Sequence, residues 1–159
     1  MLALAILSIV LAVGYSFNYY IYKSFTIASD QSEVQFNVRM AKERIESIVR
    51  FTTYMEILED YTDDPEEPYE AIYVENGSLM HYKDGTSTNL LEGSSSGISF
   101  EIDFNKADEV FLWYNVKGEI SSGQTYEISA ESGMLNEIIK DFGDSSTTGK
   151  AIIFGFEEE

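Results

Sequence analysis

No cysteine occurs among the 159 residues, which excludes a disulfide framework, thiol chemistry and any cysteine-based zinc site. Histidine is almost as scarce, and a lone His81 leaves little for imidazole catalysis. The only two prolines, Pro65 and Pro68, fall together, so the chain before them contains nothing that forces a helix to break. Positive charge is sparse and unevenly placed. Residues 1–58 hold five basic and five acidic groups and are neutral, whereas residues 59–159 set five lysines against twenty-three carboxylates. The whole net charge of -18 therefore belongs to the second part. An acidic surface of that strength repels phosphate, so nucleic-acid binding by it is not expected.

Charge is also absent at the start. No charged residue precedes Lys23, and residues 1–13 are apolar apart from Ser8. At about 1.5 Å per residue, residues 1–22 as a helix reach about 33 Å, enough for a hydrocarbon core of about 30 Å. Tyr15, Phe17, Tyr19, Tyr20, Tyr22 and Phe25 crowd its far end, as amphipathic rings do at a membrane interface. The residues expected to pack in membrane or assembly are Leu4, Leu7, Leu11, Tyr15, Tyr19 and Tyr22.

Between Thr26 and Glu59 there is neither glycine nor proline. Val34, Val38, Ala41, Ile45, Ile48 and Met55 recur at steps of four and three, with Thr52 filling the gap before Met55, the stripe of an amphipathic helix. Val38, Ala41, Ile45, Ile48 and Met55 are expected to pack this stem against the rest of the chain. The pattern predicts one helix over 1–59, about 88 Å long. It divides into a hydrophobic transmembrane or core part (1–25), an amphipathic continuation (26–59) and an acidic β-rich head (60–159).

The run Leu2-Ala3-Leu4-Ala5-Ile6-Leu7-Ser8-Ile9-Val10-Leu11-Ala12 resembles the N-terminal segment of mature type IV pilins and type II secretion pseudopilins. Asp30-Gln31, Gln35-Phe36-Asn37-Val38-Arg39-Met40-Ala41, Arg44-Ile45 and Ile48-Val49-Arg50 resemble the stem of the PilW-like minor-pilin group. The resemblance implies a subunit held in the inner membrane and drawn by an assembly machine into a cell-surface or periplasmic filament. Its partners would be other copies of itself or other pilins, that machinery, and membrane lipid before assembly. Such pilins carry a basic leader, a glycine before the cleavage site and a glutamate fifth in the mature chain. The alignment puts Met1 near the seventh mature position; were Met1 the mature start, Ala5 would stand at the glutamate's place. The implied fold class is α+β and pilin-like: a long N-terminal helix, membrane-spanning in its first half, with its second half packed on an antiparallel β-sheet head. The alternative is a single-pass anchored binding module, with a helix broken near Gly14 or Lys23 and an acidic extracytoplasmic head.

Beyond the prolines the period changes to two. Ala71–Val74 and Leu79–Tyr82 flank Glu75-Asn76-Gly77-Ser78, a hairpin signal. Asp84-Gly85 and Lys117-Gly118 are read as turns, and strands are expected near 89–91, over 98–104 and 110–116, and over 124–130 and 151–156. Residues 134–142 are expected to form a short helix. A head of about 100 residues buries roughly two-thirds of its surface, enough to fold.

Three motif matches carry no chemistry. Gly93-Ser94-Ser95-Ser96-Gly97 matches a hydrolase elbow without the later histidine that elbow needs. Asp141-Phe142-Gly143 lacks the other kinase elements, and residues 143–150 miss the P-loop spacing. No nucleophile–base or metal-ligand set is present, so neither enzymatic activity nor a cofactor is expected. Asp60, Asp63, Asp64 and Glu66 offer hard oxygen ligands for calcium but lack ordered spacing. Replacement of Lys83 in the head by alanine is expected to be tolerated.

Overall fold

The computed structural model describes residues 2–62, 65, 69–91, 97–106, 111–134 and 148–156. Helix α1 runs from Leu2 to Val49, 48 residues without a break, and is about 72 Å long. Gly14 lies inside it, where a Cβ would meet open space. Several of its hydroxyls bond within the helix. Ser8, Ser16 and Thr26 donate to the carbonyls of Leu4, Ala12 and Tyr22, at 2.8, 2.8 and 3.1 Å.

The helix ends ten residues short of Glu59, a correction to the single helix expected over 1–59. At Phe51-Thr52-Thr53-Tyr54, aromatic and β-branched residues disfavour another helical turn. Thr52 closes the end: both its N–H and its Oγ1 donate to the carbonyl of Val49, at 3.2 and 2.8 Å. Thr53 N–H then donates to Gly155 O at 2.9 Å and delivers the chain into a sheet. Met55 therefore packs from strand β1 (Tyr54–Leu58), where Met55 and Ile57 are buried, and does not extend the helical stripe.

Among the described residues eight further strands follow: β2 (Glu70–Glu75), β3 (Ser78–Lys83), β4 (Thr86–Asn89), β5 (Ile98–Lys106), β6 (Phe111–Ile120), β7 (Thr125–Gly133), β8 (Thr148–Gly149) and β9 (Ala151–Gly155). They form two antiparallel sheets, a five-stranded one ordered β1-β9-β2-β3-β4 and a four-stranded one ordered β7-β6-β5-β8. The strand expected near 89–91 lies earlier, because it starts directly after the Asp84-Gly85 turn, where φ is 49° and 73°. Asn76 and Gly77, with φ 50° and 75°, make the left-handed turn between β2 and β3. Lys117-Gly118 is not a turn. It lies within β6, where a Cβ on Gly118 would come 2.6 Å from Val38 Cγ2, so glycine there lets α1 approach. The expected helix over 134–142 lies outside the described residues beyond Met134, as do residues 93–96 and 141–147 of the dismissed motifs.

The second half of α1 packs on β6 and β7. One hydrophobic core joins the helix to both sheets, with Val34, Val38, Ala41, Ile45 and Val49 meeting Phe100, Phe104, Leu112 and Tyr114 from one sheet. Ile72, Leu79, Ile152 and Phe154 join it from the other. Burying each such aliphatic side chain contributes about 1.5–3 kcal/mol before entropy is counted. The two sheets are tied by main-chain bonds, Phe100 N–H to Gly77 O at 2.8 Å and Lys150 N–H to Leu58 O at 3.0 Å.

Candidate functional site

Every residue from Leu2 to Ser29 is exposed, so the head covers none of the apolar half of α1. Leu4, Leu7, Leu11, Tyr15, Tyr19 and Tyr22 stand between 54% and 76% exposed. The exposure is not confined to their face: Ile6, Ile9, Val10, Val13, Phe17 and Ile21 are open on the other sides. A helix apolar all round suits a membrane or a bundle of helices, not water. As a cylinder about 33 Å long and 10 Å wide it offers about 1,000 Å², above the few hundred Å² of a typical exposed patch. By length and hydropathy α1 qualifies as a candidate membrane span.

The other half of α1 is fixed to the head. Val38, Ala41 and Ile45 are fully buried and Ile48 is half-buried, while Met55 reaches the same core from β1. Polar contacts add to the joint. Tyr114, fully buried on β6, donates its hydroxyl to Lys42 O at 3.2 Å. Burial pushes that phenol's pKa well up, and the Glu46 carboxylate pushes it further. The Arg39 guanidinium lies 5.9 Å from the Tyr126 ring centre, a cation–π contact. Along the exposed flank Glu46 accepts from Lys42 and, at 3.0 Å, from Arg50. The hydrogen bond from Lys42, followed by the attraction of both cations, holds its carboxyl below the ordinary value against some desolvation.

In the head, Glu70 is almost buried and accepts from Lys83 Nζ at 2.7 Å. His81 Nε2 lies 2.7 Å from the other oxygen of the same carboxylate, and its ring stacks on Phe154 at 5.9 Å. Glu70's hydrogen bond raises the Lys83 pKa. Lys83 is thus a half-exposed cation paired with a buried carboxylate. The signal was present in the sequence: with Asn76-Gly77 at the turn, positions summing to the same total pair, and Glu70 falls opposite Lys83.

Asp60 lines a cleft of about 670 Å³ between the sheets with Tyr73, Glu75, Asp103 and Lys150, beside stacked Tyr61 and Tyr73 rings 3.7 Å apart. Asp63, Asp64 and Glu66, the other calcium candidates, lie outside the described residues. Among the described residues no group of three or more histidine or acidic side chains is placed to hold a metal.

No protein-family profile and no curated protein matches the chain. A solved structure does: the D319A mutant of the PilB minor pilin from Streptococcus sanguinis superposes with a TM-score of 0.60 at 17% sequence identity. The fold is type IV pilin-like. The match covers 83% of this chain and 35% of that protein, so the chain spans about a third of the pilin's length. In this pilin-like frame the two halves of α1 have different surroundings. Its second half belongs to the head, and its first half projects without cover from the rest of the chain.

Proposed function

We propose that the chain is a structural subunit of a type IV pilus-like or pseudopilus filament, assembled through packing of the first halves of α1. The observation that carries this reading is the division of one unbroken helix into a half locked in the head and a half apolar on every side. Before assembly the apolar half lies in the cytoplasmic membrane, with the aromatic belt and Lys23 at its outer surface. In the filament, other stems replace lipid around Leu4, Leu7 and Leu11, while the acidic heads face water and hold the outer surface soluble. The partners are other copies or other pilins and the membrane machinery that extracts them. The subunit does this work by packing, not by catalysis.

The continuity of α1 through Gly14 and Lys23 supports a stiff rod over the tethered binding module, which requires a break there. Leu11→Asp tests the reading. A carboxylate at the middle of a lipid-facing or helix-facing segment costs about 2.5–3.5 kcal/mol. The variant should fail to enter filaments imaged at the cell surface, while its head keeps a wild-type unfolding transition. Leu11→Asp filaments indistinguishable from wild type would sink the packing model. Wild-type protein found only as dispersed membrane monomers would favour the anchored module.

A further inference from the structure

Strand β7 ends the four-stranded sheet and is nine residues long. Its pairing with β6 is set by the turn at 121–123. There Ile120 N–H donates to Gln124 O at 3.0 Å, and Gly123, left-handed at φ 89°, donates to Ile120 O at 2.8 Å. In an antiparallel ladder the bonded pairs recur at every second residue. Tyr126, Ile128, Ala130 and Ser132 therefore turn their main-chain groups to β6, and Thr125, Glu127, Ser129 and Glu131 turn theirs outward. Gln31 of α1 confirms the direction by donating its side-chain amide to the outward Thr125 carbonyl at 3.3 Å. Beyond that contact, among the described residues, no hydrogen bond reaches the outward main-chain groups of Glu127, Ser129 and Glu131. These groups form a regular template about 13 Å long. Strand β4, an edge of the five-stranded sheet, is four residues long.

The side chains along β7 define what fits. Glu127, Ser129 and Glu131 project from the solvent side, and Tyr126, Ile128 and Ala130 lie half-buried against the core on the other. Lys117 is the cross-strand neighbour of Glu127, but its ammonium is bonded to Glu101 at 2.7 Å, and Glu127 Oε1 accepts instead from the neutral Asn115 amide. A second copy of β7 docked here would bring glutamates against glutamates, which disfavours self-pairing. A strand with cations on its solvent side and apolar residues on its inner side would match both rows.

We propose that the open edge of β7 is a β-addition site for an extended segment of another protein, in which lysine or arginine alternates with apolar residues. The site is independent of whether the chain assembles into a filament.

The probe is a synthetic peptide alternating lysine and valine, long enough to span β7, added to the full chain in detergent. Binding should slow hydrogen exchange at the amides of Glu127, Ser129 and Glu131 and leave the β3–β4 edge unchanged. A peptide of the same composition with its lysines in one block should give no such protection. Ser129→Pro removes one outward N–H and obstructs the edge without touching the bonds to β6. It should weaken binding by about tenfold or more, from one lost main-chain bond plus the obstructing ring, while Ser129→Ala binds as wild type. Equal binding of both peptides, or binding without protection of the three amides, would mean attraction to the acidic head alone and overturn the site. If Ser129→Pro does not fold, exchange on the wild-type chain still decides the question.

Discussion

Gly118→Ala tests how closely α1 is seated on the head. The new Cβ would lie 2.6 Å from Val38 Cγ2, while Ile98 Cγ2 and Val34 Cγ1 stay at an ordinary 3.5 Å. Forcing a methyl into such a packed contact costs about 1–3 kcal/mol. Replacing a strand glycine returns about 0.5–1 kcal/mol of chain entropy, so the expected net destabilisation is about 1–2 kcal/mol. Val38→Ala alone should cost about 2 kcal/mol, since Val38 is fully buried. It also removes the atom that meets the new methyl. Gly118→Ala placed in the Val38→Ala chain should therefore be neutral or slightly stabilising, a coupling of about 2 kcal/mol. The assay is denaturant unfolding of the four proteins in detergent, followed by fluorescence of Trp113, which shares β6 with Gly118. Equal costs for Gly118→Ala in both backgrounds would refute the close approach of α1 to β6.

Three further outcomes follow from the packing and the ion pairs. Ile45→Ala should lose about 2–5 kcal/mol in the same unfolding assay, whereas Ser47→Ala, exposed two residues on, should change stability by less than about 0.5 kcal/mol. Glu46 has its pKa lowered in the folded chain, so its stabilisation is present above the ordinary value of 4.5 and fades as pH falls through the folded value. Glu46→Gln should flatten that acid limb of a stability–pH curve. Lys83 has its pKa raised, so its contribution is complete below 10.5 and is lost as pH climbs through the folded value. Lys83→Ala should remove this alkaline loss and destabilise the head near neutrality by up to about 1 kcal/mol, because Lys83 is half-exposed and Glu70 keeps His81 as a partner. A Lys83→Ala protein with unchanged stability and an unchanged alkaline limb would show that Glu70 does not depend on it.

Much of the stem was legible because its signals are local. A helical stripe declares itself through residues three and four apart, and Val34, Val38, Ala41 and Ile45 are buried in that order. The β2–β3 hairpin was equally readable, since Asn76-Gly77 suits the left-handed turn it makes. Met55 misled because a three-residue step after Thr52 continues the helical count while the intervening residues favour strand. Gly118 misled because Lys-Gly looks like a turn until the helix beside it is known.

By itself the sequence determined the neutral rod, the acidic head, the absence of thiol chemistry and the run long enough to cross a membrane. Each is a property of neighbouring residues or of their sum. Tertiary structure decided where α1 stops, how the strands of the described residues divide into two sheets, which lysine meets the buried Glu70, and which edge of β7 those residues leave open. Those depend on residues far apart in the chain, and their partners are set by how the helix and both sheets share one core.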